Sequence, residues 1–389
     1  MPAPAARLEA RLRAVRQAMR SHDLDGLLVT HLPNIFYLTN FAGSAAMLLV
    51  TDEAVHVVTD FRYTTSLEAL LRSEHACPGA VLVPFDQTYD ETMGRLLRKL
   101  SLSRVGFEAA WMPVSRFLWL AGVLGIDPPR LDCAAPAVPG GARLVPTERL
   151  IESARARKDD YELGVFRRAG RLVSELTEPI IEEVEAGITE REVAARVDLI
   201  LREGGFQRTS FETIVASGPN AALPHARPSE RRLSEGDLVV LDFGGVLDGY
   251  CVDITRTVSI GEPGEEAARV HEAVLRAQEA AIRAVRAGVA ADAPDRAARE
   301  VLSGYGLEEL FGHGTGHGLG VEVHEEPRIG PARQAPVCQP ATLEAGMVVT
   351  MEPGAYRPGW GGARIEDDVV VTGDGCETLT WADRSLRAR

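Results

Sequence analysis

The chain has 389 residues, 45% of them apolar and 25% charged, the proportions of a globular protein with room for two cored domains. Its 42 basic and 56 acidic side chains give a formal charge of −14, which argues against nucleic acid or an anionic membrane as the main partner. No run of about 18 apolar residues occurs and the N terminus lacks an apolar signal core, so the expected location is the cytoplasm. There the scattered Cys77, Cys133, Cys251, Cys338 and Cys376, with no CxxC among them, are expected to stay reduced.

An amphipathic helix opens the chain, with Leu8, Leu12, Val15 and Met19 on one face and Arg7, Arg11, Arg13, Arg16 and Arg20 around it. Strands are predicted over 26–30, 46–50 and 55–59, the last two joined by Thr-Asp-Glu-Ala and so forming a hairpin. A helix near 66–72, a strand near 80–84, a helix around 91–99, a strand at 105–108 and a helix from Pro113 follow. The alternation predicts a self-contained α/β domain over 1–133. The segment 134–146, containing Ala-Pro-Ala-Val-Pro-Gly-Gly, is expected to be a linker, which leaves 147–389 as a second domain.

In that second domain a long helix carries Phe166, Ala169, Val173, Leu176 and Ile180 on one face. Another starts at the capping box formed by Thr189 and Glu192 and presents Val193, Val197, Ile200 and Leu201. Helices are predicted again over 265–285 and 294–302. Each helix pair precedes a β hairpin, so the domain reads as an internal duplication.

The hairpins echo each other. Residues 236–244 read Gly-Asp-Leu-Val-Val-Leu-Asp-Phe-Gly and 346–354 read Gly-Met-Val-Val-Thr-Met-Glu-Pro-Gly, which puts Asp242 and Glu352 in matching places. A second acid follows each of them, Asp253 and Glu366. Strand residues equidistant from a turn face one another. A turn centred at Leu247-Asp248, beside the tight-turn dipeptide Asp248-Gly249, sets Asp242 opposite Asp253; one centred at Gly359 sets Glu352 opposite Glu366. Facing carboxylates repel unless a cation neutralises them or one is protonated. Four of them on two related hairpins point to divalent metal, and their charge balances two such ions. Oxygen donors with one imidazole suit Mn²⁺ first, with Co²⁺, Zn²⁺ or Fe²⁺ as alternatives. No thiolate is placed to close a structural zinc site.

Residues 311–327 read Phe-Gly-His-Gly-Thr-Gly-His-Gly-Leu-Gly-Val-Glu-Val-His-Glu-Glu-Pro. His313 and His317 have the spacing of a helical metal site, but the alternating glycines argue against a helix and predict extended or looped backbone. His324 lies in the same stretch, and His225 follows the turn-rich Ser217-Gly-Pro-Asn-Ala-Ala-Leu-Pro.

The stretch from His313 to His324 resembles the signature of the proline-specific metallopeptidases, aminopeptidase P and prolidase. The segments Gly-Pro-Asn-Ala-Ala-Leu-Pro-His225, Leu-Asp242-Phe-Gly, Val-Asp253-Ile-Thr-Arg, Met-Glu352-Pro-Gly-Ala-Tyr356 and Arg364-Ile-Glu366-Asp-Asp are similar to that family's motifs in order and spacing. In the first domain Leu-Pro-Asn-Ile-Phe-Tyr-Leu-Thr-Asn-Phe-Ala-Gly-Ser and Thr-Asp-Phe-Arg-Tyr resemble the same enzymes. The resemblance implies a creatinase/prolidase-like N-terminal α/β domain followed by a pita-bread α/β domain with pseudo-twofold symmetry. It also implies Asp242, Asp253, His317, Glu352 and Glu366 as ligands of two divalent ions, Asp253 and Glu366 bridging; no ligand position departs from the family pattern.

By the same resemblance Glu352 moves a proton from the attacking water to the leaving prolyl nitrogen. His225 and His324 bind substrate and steady the tetrahedral intermediate, while His313, Tyr356 and Arg364 shape the pocket. The expected activity is hydrolysis of the Xaa-Pro bond at a peptide N terminus, as in aminopeptidase P, with dipeptide-restricted prolidase as the alternative. Peptides with proline in second place and a second copy of the chain, in a homodimer, are the expected partners. Methionine aminopeptidase shares the metal set but usually lacks a large N-terminal domain, and creatinase lacks the metal carboxylates. Non-enzymatic pita-bread binding modules have lost ligands, whereas all five are present here.

Overall fold

The computed structural model describes residues 1–85, 87–125, 143–331 and 341–389. Contacts divide the chain into two compact units, Met1–Arg155 and Ala156–Arg389.

In the first unit α1 (Ala5–Ser21) buries Leu8, Leu12, Val15 and Met19, the face its periodicity predicts. Then come β1 (Gly26–Val29), α2 (Leu32–Thr39), β2 (Met47–Thr51), β3 (Val55–Val58), α3 (Phe61–Leu71) and β4 (Ala80–Val83). These are followed by α4 (Tyr89–Leu100), β5 (Arg104–Glu108), α5 (Val114–Val123), β6 (Arg143–Thr147) and the short α6 (Glu152–Ala156). The strands make one mixed sheet in the order β4-β3-β2-β1-β5-β6, with the predicted hairpin at β2 and β3. Its core includes Leu28, Leu49, Val58, Met93, Leu97 and Leu120.

Two features differ from expectation. The helix α2 is not predicted, because Pro33 reads as a breaker; it sits in the first turn, where its missing N–H forfeits no helical bond. Of the expected linker 134–146, residues 134–142 lie outside the described residues, and 143–146 belong to β6. That strand runs parallel to β5 at the sheet edge, the one place where a ladder tolerates Pro146.

The second unit is built twice over. α7 (Asp160–Glu182) and α8 (Glu190–Glu203) each start at a complete capping box, Asp159 with Glu162 and Thr189 with Glu192. After them come β7 (Arg208–Thr209), β8 (Ile214–Ser217), β9 (Leu238–Phe243), β10 (Gly245–Leu247), β11 (Tyr250–Cys251) and β12 (Ile254–Ser259). The second half repeats the plan with α9 (Glu265–Ala284), α10 (Ala293–Gly304), β13 (Gly316–Gly318), β14 (Glu325–Ile329), β15 (Val348–Met351) and β16 (Gly354–Arg357). It closes with β17 (Gly361–Arg364), β18 (Asp367–Val371) and β19 (Cys376–Thr378).

The antiparallel set β12-β9-β8 in one half corresponds to β18-β15-β13 in the other. The echo of the sequence holds at backbone level: Gly236 and Gly346 both adopt positive φ, 86° and 90°, and donate their amides to Ile260 and Val371 at the ends of the returning strands. A side chain at either position would be strained. The halves meet where Thr255 bridges to Glu366. Among the described residues no helix is long and apolar enough to cross a membrane.

Candidate metal centre

Asp242 is the last residue but one of β9 and Asp253 precedes β12, but they do not stand directly opposite each other. The register pairs Asp242 with Thr255, because the chain reverses at Asp248-Gly249, both residues at positive φ, and not at Leu247-Asp248. The segment Val252–Asp253 instead presses on Gly244, where a Cβ would lie 1.9 Å from the Val252 carbonyl oxygen. The second hairpin follows its prediction: Gly354 pairs with Arg364 and Met351 with Asp367, a register that sets Glu352 against Glu366 across a turn centred on Gly359. At those two acids the ladder opens. Glu352 donates its amide to the Thr315 carbonyl (2.7 Å) and Glu366 donates its own to the Thr255 carbonyl (3.2 Å).

His317 comes from β13, an extended strand as the glycines predict. A Cβ on Gly316 would fall 2.0 Å from the Thr350 carbonyl oxygen, so only glycine lets β13 approach β15 this closely. The His317 amide donates to Thr350 Oγ1 (3.1 Å). Its Nδ1 lies 3.0 Å from the Gly318 carbonyl, which can only accept, so Nδ1 carries the proton and Nε2 keeps its lone pair. Nε2 is 3.6 Å from Glu352 Oε1.

Donor atoms of Asp253, His317 and Glu366 lie within 4.8 Å of one another. Asp242 Oδ1, Asp253 Oδ1 and Glu366 Oε1 are buried without a hydrogen-bond partner. Three orphaned carboxylate oxygens would ordinarily be prohibitive in one interior. They fit a divalent cation, which takes hard oxygen donors and supplies the missing charge.

The electrostatics agree. Burial, followed by the charges of Glu366, Asp242, Asp368 and Glu352, pushes the Asp253 carboxyl well above its ordinary range. Burial, then Glu352 and Asp242, does the same to Glu366, opposed by the Thr255 hydroxyl and Arg364. Glu352 is pushed up to about 8, chiefly by burial, with Asp242 adding to the rise and Arg364 opposing it. Burial and the neighbouring His324 hold His317 down at about 4, leaving it neutral at physiological pH.

Around these acids the remaining residues singled out in the sequence converge. Arg364, at 2% exposure, donates from Nη2 to Asp242 Oδ2 (2.5 Å), from Nη1 to the Tyr356 hydroxyl (2.9 Å) and the Pro224 carbonyl (3.2 Å), and from Nε to Thr255 Oγ1 (3.3 Å). The Tyr356 hydroxyl donates to Nε2 of His313 (2.9 Å), whose Nδ1 donates to the Gly314 carbonyl (2.8 Å). Burial, then the Arg364 charge, keeps His313 neutral at about 4, and burial raises the Tyr356 phenol to about 12. His324 meets His317 edge to face, ring centroids 4.4 Å apart. His225 is exposed and close enough for its charge to act on both His313 and His324.

Some supporting residues escape a search confined to histidines and paired acids. Thr255 Oγ1 donates to Glu366 Oε2 (2.6 Å), and Asp368 Oδ2 accepts the Asp253 amide (3.0 Å). Each lies two residues from an acid of the centre, and strand alternation is the signal that would have found them. Arg256, at 2% exposure, donates to the carbonyls of Thr255, Glu366, Ala382 and Asp383 and to the Asp367 carboxylate.

A duplicated α/β unit closed over an oxygen-rich centre of this kind suits a protein that works with divalent metal. More narrowly, the chain belongs to Metallopeptidase family M24, whose family model matches residues 164–373, while residues 11–157 match the Creatinase/Prolidase N-terminal domain. It is 30% identical over 381 residues to an Xaa-Pro dipeptidase of Pyrococcus horikoshii, covering 97% of this chain and 99% of that protein. The solved structure of an Xaa-Pro dipeptidase from Bacillus anthracis is similar with a TM-score of 0.87 at 32% identity, over 98% of this chain and 100% of that one. An X-Pro aminopeptidase from Thermotoga maritima gives a TM-score of 0.84 at 30% identity, over 97% and 99%. The pseudo-twofold unit is thus the pita-bread fold that the sequence motifs imply, preceded by a creatinase/prolidase-type domain.

Proposed function

We propose that the protein is a metal-dependent Xaa-Pro dipeptidase, hydrolysing dipeptides with proline in second place. The observation that carries the metal chemistry is the converging donor group of Asp253, His317 and Glu366, with unpartnered buried oxygens on Asp253 and Glu366 and another on the nearby Asp242. The dipeptide preference is supported by the names of the Pyrococcus horikoshii and Bacillus anthracis proteins, which favour it over the aminopeptidase P activity expected from the sequence. Aminopeptidase P is kept as the second reading because of the Thermotoga maritima structure.

In this reading Asp242, Asp253, His317, Glu352 and Glu366 would hold two divalent ions, Mn²⁺ first and Co²⁺, Zn²⁺ or Fe²⁺ as alternatives. When bound, the ions supply Lewis-acid polarisation of the scissile carbonyl and water of lowered pKa. Glu352, fixed through its amide by Thr315 and set beside His317, takes the proton of the attacking water at its carboxylate and delivers it to the prolyl nitrogen. His324, held below the usual histidine range by burial and by His225, stays neutral and donates to the developing oxyanion, with His225 across the same mouth. Arg364 fixes Asp242, and through Tyr356 it fixes His313, so one guanidinium aligns the metal side with the pocket wall.

The test is an assay of Mn²⁺-loaded protein on an Xaa-Pro dipeptide beside an Xaa-Pro-Xaa tripeptide. Cleavage of the dipeptide alone is expected. Efficient cleavage of the tripeptide at its first bond would replace the reading with aminopeptidase P, and cleavage of neither would sink both.

A further inference from the structure

Glu190, the first residue of α8, is 0% exposed, and its hydrogen-bond partners Ser217, Asn220 and Ser229 are not among the proposed metal ligands. Its Oε1 accepts from the Ser217 amide (2.7 Å), Ser217 Oγ (2.8 Å) and Asn220 Nδ2 (3.0 Å). Its Oε2 accepts from the Ser229 amide (3.0 Å), Ser229 Oγ (2.6 Å) and Asn220 Nδ2 (3.1 Å). Every partner is a donor, and the carboxylate lies at a helix N terminus, the arrangement that offsets the desolvation of a buried negative charge.

The two serines bracket one segment, 217–229, that carries His225 between them. The middle of the segment also rests on β17, where a Cβ on Gly362 would lie 2.5 Å from the Ala221 carbonyl oxygen; Glu190 is what ties its two ends to one point. The segment's regular structure is one 3₁₀ turn over Gly218–Ala222, it packs Ala221 and Ala226 into a small cluster with Ala216 and Val240, and Arg364 reaches it at the Pro224 carbonyl. His225 itself is exposed, so its position is set by the backbone that carries it and not by packing around its ring.

A second buried acid clamps backbone on the other side of the site, with an ion pair to Arg299 added (Nε to Oδ2, 2.8 Å). Asp295, in the first turn of α10 and 1% exposed, accepts the Thr315 amide (3.1 Å) and Thr315 Oγ1 (2.9 Å) through one oxygen. Thr315 in turn holds the Glu352 amide and lies two residues before His317. The repeat does not relate the two clamps, since Ser217 pairs with Val239 whereas Thr315 faces Glu352. One clamp serves the substrate side and the other the metal side.

We propose that Glu190 is a positioning residue for substrate recognition, fixing both ends of the 217–229 segment so that His225 is presented to the substrate, while Asp295 does the corresponding work for Glu352 and His317. This rests on the Xaa-Pro peptidase reading for the role of His225, but not for the clamp itself.

The experiment compares Glu190→Gln, the milder Ser229→Ala and Asp295→Asn by amide hydrogen exchange, Mn²⁺ calorimetry and steady-state kinetics on an Xaa-Pro dipeptide. Glu190→Gln is expected to speed exchange across 217–229, leave Mn²⁺ affinity within about twofold and raise KM by about 10- to 100-fold, the range for loss of an outer supporting partner. Ser229→Ala should shift the same quantities in the same direction by less, and Asp295→Asn should weaken Mn²⁺ binding. In a double-mutant cycle Glu190→Gln should add little once His225→Ala is present, because both act through one side chain. Additive effects, or loss of Mn²⁺ affinity in Glu190→Gln equal to that in Asp295→Asn, would overturn the assignment and leave Glu190 a general stabiliser. If the parent cleaves no Xaa-Pro substrate, the function reading fails, and the clamp is judged by exchange alone: unchanged protection of 217–229 in Glu190→Gln would refute it.

Discussion

Thr255→Val isolates one hydroxyl at the junction of the two halves. Thr255 is fully buried, donates from Oγ1 to Glu366 Oε2 at 2.6 Å and accepts from Arg364 Nε at 3.3 Å. Valine keeps the branched shape and the backbone pairing with Asp242. A hydrogen bond to a charged group is worth about 1.5–3 kcal/mol. Burial already raises the Glu366 carboxyl, and the Thr255 hydroxyl is the hydrogen bond that opposes the rise. Its removal raises that carboxyl further, so metal must displace a more tightly held proton. At about 1.4 kcal/mol per factor of ten, Mn²⁺ affinity should fall roughly 10- to 100-fold near neutral pH. The sign with pH follows. Once the carboxyl is ionised in both proteins, the lost hydrogen bond is missing from the free and the metal-bound forms alike and largely cancels. Calorimetric titration at two well-separated pH values should therefore show a defect that shrinks at the higher pH. Affinity within about twofold of the parent at both values would refute the reasoning, and an undiminished defect at the higher pH would assign the effect to geometry instead of proton competition.

Glu352→Gln should keep the fold and lose turnover by at least about 100-fold, since the amide cannot relay a proton; circular dichroism and single-turnover cleavage check this, and full activity would contradict the assigned role. Stripped of metal, the protein should lose stability as pH rises, because Glu352 holds its proton up to about 8 when folded and releases it near 4.5 when unfolded. A raised carboxyl of this kind contributes stability that is complete below the lower value and gone above the upper one, so Tm with chelator should fall between about pH 5 and about pH 9 and the trend should flatten with saturating Mn²⁺. Gly316→Ala places a Cβ 2.0 Å from the Thr350 carbonyl oxygen, which forces β13 off β15 and carries His317 with it. A destabilisation of about 1–3 kcal/mol by thermal unfolding, with weakened Mn²⁺ binding, is expected.

Elements with strong periodicity were readable from the chain alone. The buried face of α1, the capping box of Thr189 and Glu192 and the β2-β3 hairpin rest on local chemistry, and each lies where its residues predict. The helix α2 and the strand β6 were not, since Pro33 and Pro146 carry a breaker signal whose meaning depends on whether a first helical turn or a sheet edge receives them. In the site, the acids and histidines were legible as residue types at regular spacing. Glu190 and Asp295 were not, because a first-turn acid reads as ordinary helix capping until the fold shows that its partners are a distant serine and threonine.

The register of the first hairpin has a consequence beyond its two-residue displacement. Had Asp253 faced Asp242 as Glu352 faces Glu366, the two hairpins would have been rotational copies, each with one pair of facing acids. Reversal at Asp248-Gly249 instead puts Thr255 across from Asp242, and a hydroxyl can do what a third carboxylate there could not. It donates to Glu366 from the other half while accepting from the Arg364 that holds Asp242. The acids of each hairpin are thereby tied to the other hairpin through one neutral side chain, and the repulsion among them is left for bound metal to relieve. A strictly symmetric duplication would have had the charge without the tie.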